Sequence, residues 1–351
     1  MPIRHLTVLL LLLPAVATAW LPGPSQSEAT GCFSVDRDRR NDVLAFHHNI
    51  YAASVGDQAR MAWTGSQAAQ TEGTIARSYV NDVQRRINYH RALAGVPTNV
   101  KLNTGAPVWV GPDETAPPAG TTKEAASQRA ALMFSLAGTV THNPPNAPPF
   151  SCWTLAAWNA ASHGNLSLGF NGAEAVDAYM RDSDSNGSSV WVPSAGHRRW
   201  LILPGSTNMG NGDVPAGSGC RAVNVLYVVP RTEEIAAEAP AFVAWPPAGW
   251  FPAPLMTVLW SLSYPGADFS AATVQVTGPG GAVPVTVIDG TSTEYGDPAI
   301  TWTVPAQAAP IAVDADTDYH VTVSGIGRGK AGCGVPASHS YTVRALSLIH
   351  I

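Results

Sequence analysis

The sequence predicts an α+β protein in which a helical domain is followed by an all-β sandwich. Three observations lead to this prediction. Apolar residues recur at three- and four-residue steps before residue 232, whereas short β-rich runs separated by turn signals occupy the chain after residue 241. Of the 351 residues, 45% are hydrophobic and only 13% are charged, which indicates folded cores rather than disorder. A chain of this length has room for two domains.

The first strong helix is predicted to begin near Ser78 and to end before Gly95. Its apolar stripe comprises Tyr79, Val80, Val83, Ile87, His90 and Ala94. Its opposite side carries Asn81, Asp82, Arg85, Arg86 and Arg91. This pattern predicts an amphipathic helix with one apolar and one polar face.

Further helices are predicted downstream. One runs from Thr121 to Gly138, because Glu124 stands three residues after the threonine, as in a capping box. Shorter helical patches follow at 153–162 and 173–181.

Strands are predicted at 221–229 in the first domain and at 256–264, 272–277, 283–288, 299–304, 319–323 and 340–343 in the second. This spacing, with a strong turn signal at Gly278-Pro-Gly-Gly281, predicts an all-β sandwich. The Pro-braced aromatic run 245–252 is expected to seal the junction between the domains rather than to stack sugars. Each buried ring removes about 150–250 Å² from water.

The chain ends are excluded from the fold. Residues 1–19 have a polar start, an apolar stretch and a small-x-small site before Trp20, which predicts a cleaved signal peptide and an extracellular, secreted product. Residues 346–351 are interpreted as a non-native tail. Between these ends we expect four segments, namely an N-terminal extension packing on the next domain (20–76), the first domain (77–232), a linker (233–240) and the β-sandwich (241–345).

Composition and missing motifs exclude several classes of function. The net charge of −5 argues against nucleic acid as a partner, because phosphate binding requires a basic face. After the first twenty residues no apolar run is long enough to cross a bilayer. The sequence also contains no GxSxG elbow, no HExxH pair and no P-loop. The oligomeric state is left open.

Four cysteines, Cys32, Cys152, Cys220 and Cys333, suit an oxidising destination and predict disulfides. Sequence alone leaves all three pairings open. The pairing of Cys152 with Cys220 is favoured because both lie in the same predicted domain.

The residues most suited to chemistry are two histidines. His142 follows the second helix, and His197 precedes the apolar run 200–203. A neutral imidazole binds metal or moves a proton near neutral pH. Two imidazoles with a carboxylate would supply three ligands to Zn²⁺ or a similar ion.

Five segments in this order resemble the CAP superfamily of cysteine-rich secretory, antigen 5 and pathogenesis-related proteins, in particular its bacterial secreted branch. They are 80–97, 125–138 leading to His142, 164–169, 175–180 and 196–204. The resemblance covers roughly 78–230. It implies a CAP/SCP-like domain at 77–232, an α-β-α sandwich with a small antiparallel sheet covered by helices on both faces, followed here by an immunoglobulin-like sandwich.

The resemblance also implies a central cleft lined by two histidines and two acidic residues. His142 and His197 match the histidines, and Asp182, or less well Glu174, matches the acid before the second one. The other family glutamate is replaced by Gly164, and the neighbouring His163 is a candidate substitute. His142, His197 and Asp182 are therefore the metal ligands that the resemblance implies, and a three-ligand or empty cleft is as compatible with the sequence as a complete metal site.

Relatives in this superfamily have been linked to lipid or sterol binding, defence, adhesion and occasionally proteolysis, so the resemblance fixes no activity. We expect a secreted protein that recognises a small-molecule, lipid or cell-envelope ligand. No cofactor is required, and Zn²⁺ or another divalent metal is optional. One alternative is a metal-dependent hydrolase whose metal-bound water is the nucleophile. Another is an adhesive protein acting through the β-sandwich.

Overall fold

The computed structural model describes residues 29–183, 189–236, 238, 241–305, 315–329 and 334–348. The predicted signal peptide 1–19, residue Cys333 and the last residues of the predicted tail, 349–351, lie outside this range. So do three positions of the predicted linker, 237, 239 and 240. Across the described residues the fold is α+β, with helices concentrated in the first half and sheets dominating the second.

The helices of the described residues are α1 (Arg40–Phe46), α2 (Arg77–Ala94), α3 (Lys123–Ala137), α4 (Leu155–Ser162), α5 (Gly172–Arg181) and α6 (Gly196–Leu201). The predicted start of α3 is one residue early, because Thr122 is the residue whose side chain accepts from the backbone N–H of Ala125. Glu124 instead accepts from the backbone of Gly105 at 2.9 Å. The predicted capping box is therefore absent.

Helix α2 is buried on its polar face as well as on its apolar face, which corrects the predicted amphipathic helix. Arg85, Arg86 and Arg91 of its polar side are only 5%, 3% and 0% exposed. Arg85 donates to the carbonyl of Ala29 at 2.8 Å, and Arg91 donates to the carbonyl of Leu201 at 2.8 Å. The polar face is buried because the chain before α2 and the loop after α6 cover it. Burial lowers the pKa of Arg91 to about 9.

A four-stranded sheet lies between helices in the first half. Its described strands are β1 (Lys101–Leu102), β2 (Gly164–Leu168), β3 (Asn208–Val214) and β4 (Val223–Tyr227), in the order β1-β3-β4-β2. Side chains alternate along β4, so that Val223, Val225 and Tyr227 join a core with α3 and α4. Leu226 belongs to a second core with α2 and α5. Helices therefore cover both faces of this sheet.

Strand β3 has a composition that argues against a strand, since its sequence is Asn-Met-Gly-Asn-Gly-Asp-Val. Its two glycines are explained by packing. A Cβ atom at Gly210 would collide with Lys123, and one at Gly212 would collide with the backbone of Ser127 and Gln128. Helix α3 thus lies directly on this strand, at a distance that only glycine permits.

The second half contains two larger sheets. One has the order β10-β9-β13-β15-β6 and the other the order β11-β12-β7-β5. Their bounds are β5 (Val243–Trp245), β6 (Gly249–Pro252), β7 (Leu259–Ser263), β9 (Thr273–Gly278), β10 (Gly281–Val283), β11 (Thr286–Asp289), β12 (Ala299–Thr303), β13 (Thr317–Ser324) and β15 (Ser338–Leu346). The short strands β8 (Ala267–Asp268) and β14 (Gly327–Arg328) form a separate pair. Trp260 of one sheet contacts Tyr319 of the other edge-to-face, with ring centroids 6.0 Å apart.

The last strand extends beyond its predicted end and into the predicted tail. Leu346 is buried and pairs with Pro252. The backbone N–H of Ser347 donates to Asp316 at 2.9 Å.

The two halves share one continuous hydrophobic core. Trp245 and Phe251 of the aromatic run are 1% and 0% exposed, and the Trp245 ring packs edge-to-face on His90 of α2. Arg198 of α6 is fully buried and donates to Leu259 O at 2.9 Å and to Ser261 Oγ at 3.0 Å. The aromatic run therefore lies at the junction, where the sequence placed it.

Of the helices in the described part of the chain, none combines the length and the apolar character needed to cross a bilayer.

Candidate functional site

His142 lies in the loop that follows α3 and is anchored by α4. Its ring Nδ1 is 2.8 Å from the carbonyl oxygen of Ala161, in the last turn of that helix. A carbonyl oxygen can only accept a hydrogen bond, so Nδ1 carries the proton and the neutral ring presents a lone pair at Nε2. The residue is exposed, so this nitrogen belongs to a ring that reaches solvent.

His197 lies at the start of α6 and is held by the end of α5. Asp182 caps α5 in the left-handed conformation, with φ of 52°, and its carboxylate is fully buried. Oδ1 of Asp182 is 2.6 Å from His197 Nδ1, and Oδ2 accepts from the backbone N–H of Arg198 at 3.1 Å. The carboxylate therefore fixes the ring of His197 and leaves its Nε2 as a lone pair when the ring is neutral.

His142 and His197 interact electrostatically, and we call the two residues the imidazole pair. Burial is the main cause that lowers the pKa of His142, the charge of His197 adds to it, and the hydrogen bond that His142 donates to the carbonyl of Ala161 opposes it. Asn165 of β2 links the two sides, since its amide donates to the carbonyl of His197 at 3.0 Å. It follows Ala161 by four residues, at the point where α4 leads into β2.

Two aromatic residues contact His197 or its partner Asp182. The ring of Tyr179 is tilted against His197 with centroids 5.2 Å apart. Trp191 is 45% exposed, and its backbone N–H donates to the carbonyl of Asp182 at 2.9 Å. The backbone of the exposed Trp191 therefore lies next to Asp182, the residue that holds the ring of His197.

His163 belongs to a separate cluster. Its Nδ1 is 2.8 Å from the carbonyl of Asn159, and its Nε2 is 3.3 Å from a carboxylate oxygen of Glu114. The ring is 6% exposed and packs between Trp109 and Tyr227. Both ring nitrogens are thus engaged with partners other than His142 and His197.

Glu174 is also apart from the pair. It is exposed in the first turn of α5, whereas Asp182 follows the last turn. Eight residues of helix separate them by about 12 Å, at 1.5 Å per residue. Between the two acids that the resemblance offered, only Asp182 contacts an imidazole.

The donors at the pair do not fit a three-ligand metal centre. Within the described ranges, no group of three His, Cys, Asp or Glu side chains is arranged to hold a metal ion. Asp182, the third ligand implied by the resemblance, uses one oxygen for His197 and the other for the backbone of Arg198. Asp182 therefore orients His197, and the Nε2 atoms of His142 and His197 carry the two lone pairs that remain to bind a ligand.

The cysteines differ from the expected pairing. Cys32, Cys152 and Cys220 are free thiols. Cys152 Sγ donates to the side-chain oxygen of Gln70 at 3.3 Å, and Cys220 Sγ lies 4.0 Å from the carbonyl of Ser218. The favoured Cys152–Cys220 disulfide is thus not formed.

Comparison with protein-family models, with curated proteins and with solved structures found no match to this chain.

Two partners of the histidines were not among the sequence candidates. The carbonyl of Ala161 carries no side-chain signal, so only the fold identifies it as the anchor of His142. Glu114 stands 49 residues before His163 in a loop with no periodicity, and its contact with His163 depends on tertiary structure alone.

Proposed function

We propose that this chain is a secreted protein that binds a small amphiphilic ligand at the imidazole pair. The ligand would donate hydrogen bonds from hydroxyl or N–H groups to Nε2 of His142 and His197. Its apolar part would lie against the exposed indole of Trp191. A glycolipid-like or sterol-like molecule of a cell envelope has this chemistry.

One observation carries the proposal, namely that two solvent-reaching imidazoles are both fixed through Nδ1. Fixing the protonated nitrogen presets the hydrogen-bonding character of the other one. A preorganised acceptor does not have to lose rotational freedom when the ligand arrives, which favours binding.

The class of protein is part of this proposal. The sheet covered by helices on both faces and the order of the five sequence segments support a CAP-like domain. The two sheets after residue 241, packed through Trp260 and Tyr319, support an immunoglobulin-like sandwich. Secretion is supported by the leader-like residues 1–19.

The metal-dependent hydrolase is the weaker alternative. It requires a third protein ligand beside the imidazole pair, and Asp182 is committed to His197 and Arg198. Calorimetric titration with Zn²⁺ tests it directly. Binding at one ion per chain, lost in both His142→Phe and His197→Gln, would favour the hydrolase over the binding protein.

The binding proposal is tested with octyl glucoside below its micellar concentration. This probe joins several hydroxyl donors to an apolar tail. We expect saturable shifts of the His142 and His197 ring signals in NMR spectra. His142→Phe should weaken the apparent affinity at least tenfold, because it removes one of two acceptors and the residue is exposed enough to leave the fold intact.

The matched control is His320→Phe. His320 is exposed on β13 and makes one side-chain hydrogen bond, to Thr342 at 2.9 Å, far along the chain from the pair. It should bind the probe like the wild type. The proposal fails if wild-type protein shows no saturable shift, or if His142→Phe and His197→Gln together leave the affinity unchanged.

A second candidate, adhesion through the β-rich half, is favoured by one observation. Strand β11 forms an edge of its sheet among the described strands, and its Val287 and Ile288 are 45% and 39% exposed. Exposed apolar edge strands pair with other chains. If this surface makes the functional contact, Val287→Lys should abolish binding to cell-envelope preparations, whereas His142→Phe should not change it.

A further inference from the structure

A small cavity lies where α2, α5 and the second half of the chain meet, and neither member of the imidazole pair lines it. Its volume is about 70 Å³, and its polar end is formed by Tyr51, His90, Asp177 and Arg181. We call it the junction cavity. A cavity that holds one water has a volume of about 10–15 Å³, so the junction cavity admits a molecule of roughly five non-hydrogen atoms.

Asp177 organises the polar end and is itself fully engaged. Its Oδ1 is 2.8 Å from His90 Nε2, and its Oδ2 accepts from Tyr51 at 2.9 Å and from Arg86. Burial acts to raise the pKa of Asp177, but Arg86 and the hydrogen bonds outweigh it, so that the pKa is lowered and the carboxylate is charged. Because a carboxylate only accepts, His90 Nε2 is the protonated nitrogen.

Two buried atoms at this end have no hydrogen-bond partner among the described residues. They are Nδ1 of His90, a residue only 1% exposed, and Nε of Arg181. Burial, the largest cause, lowers the pKa of His90, so the ring is neutral at neutral pH and Nδ1 is an acceptor. Arg181 Nε–H is a donor. A single hydroxyl group, which both donates and accepts, complements these two atoms.

The rest of the wall is apolar. Met180, Trp245 and Leu255 line it. The Trp245 and His90 rings meet edge-to-face with centroids 5.5 Å apart, so the indole lies next to the polar end. An occupant must therefore combine one hydroxyl group with a short hydrocarbon part.

We propose that the junction cavity binds a small neutral alcohol, whose hydroxyl group donates to His90 Nδ1 and accepts from Arg181 Nε. Its carbon atoms would pack on Met180, Trp245 and Leu255. The site draws residues from both halves of the chain, so occupancy would also strengthen their contact. A buried polar atom without a hydrogen-bond partner is unfavourable, so an alcohol that pairs with both atoms is stabilised in the cavity.

The probe for this site is 1-propanol, which has four non-hydrogen atoms. In the full chain we expect a saturable shift of the Trp245 indole N–H signal in NMR spectra during titration. Acetone has the same number of non-hydrogen atoms but cannot donate to His90, so its apparent affinity should be at least fivefold weaker.

The blocking variant is Leu255→Trp, which enlarges a partly exposed wall residue and leaves the polar network intact. It should weaken 1-propanol binding at least tenfold. The exposed Val287→Trp is the matched control and should bind normally. A folded Leu255→Trp protein that binds 1-propanol as tightly as the wild type would overturn the proposal. So would a wild-type protein with no saturable shift, or one that binds acetone equally well.

Discussion

Oδ1 of Asp182 lies 2.6 Å from Nδ1 of His197, and the second oxygen of the same carboxylate accepts from the backbone of Arg198. This contact gives Asp182 a different role from that of a metal ligand. Asp182, at the end of α5, fixes the orientation and the tautomer of the His197 ring. The carbonyl of Ala161 does the same for the ring of His142.

In the Asp182→Asn variant, the neutral ring of His197 should no longer be held in a single tautomer. An amide has one oxygen where the carboxylate has two, so it cannot accept from both His197 and Arg198. We expect ¹⁵N NMR to show the neutral ring protonated at Nδ1 in the wild type and a mixture of tautomers in the variant. Octyl glucoside affinity should fall severalfold.

The control for that experiment is Asp268→Asn. Asp268 is exposed and accepts from the backbone N–H of Ser270 at 2.9 Å. The Asp268→Asn variant therefore changes a comparable local contact in the other half of the chain. An unchanged His197 spectrum in Asp182→Asn would show that Asp182 does not fix the tautomer of His197.

Replacing His197 with Gln should raise the pKa of His142. Burial is the main cause that lowers this pKa, and the charge of His197 adds to it, so removing that charge leaves a higher value. An NMR titration of the His142 ring measures the change, with His320→Gln as the variant that should leave it unaltered. A His142 pKa that stays the same or falls would show that the rings do not sense each other.

Stability should decrease in mild acid partly because of His47. Burial, helped by the charges of His48 and Arg86, lowers its pKa from 6.5 to about 3. The unfolded chain therefore takes up more protons as the pH falls below 6.5, so this contribution to stability is present above that pH and is lost on acidification towards pH 3. Between pH 7.5 and pH 5 the loss from one such residue is about 2 kcal/mol.

Urea unfolding of His47→Phe at the two pH values checks this contribution. The phenyl ring keeps the stacking on Tyr51, where centroids are 4.6 Å apart, but cannot titrate. The pH-dependent loss should shrink by about 2 kcal/mol relative to the wild type. The exposed His320→Phe lies in the other half of the chain, does not contribute to the His47 pKa, and should retain the full loss. An equal loss in His47→Phe and in the wild type would refute the assignment.

Arg198 should be essential for joining the two halves. It is fully buried and donates to carbonyls of Met180, Arg181 and Leu259. Arg198→Met leaves these acceptors without their donor, and we expect the free energy of unfolding to fall by about 3–5 kcal/mol. Arg198→Lys should not restore it, because an ammonium group lacks the planar fork.

Chemical denaturation measures this effect, and Arg328→Met on the exposed strand β14 is its control, with an expected change within about 0.5 kcal/mol. A loss below about 1 kcal/mol in Arg198→Met would mean that the junction is held by its apolar contacts alone.

Local sequence signals predicted the longer regular elements well. The prediction for α2 differs from the observed Arg77–Ala94 by one residue at its start, and each predicted strand region of the second half overlaps a described strand. Strand β3 was missed because its two glycines serve the close approach of α3 and carry no strand signal.

The sequence by itself indicated a helical first part followed by a β-rich second part, because short-range periodicity differs between them, and it drew attention to His142 and His197 by residue type. Tertiary structure decided which surfaces are covered and which side chains meet. Periodicity shows which residues of α2 share a face, but not that the chain around Ala29 buries its arginines. The family resemblance likewise offers Asp182 and, less well, Glu174, whereas the tertiary structure places only Asp182 in contact with an imidazole.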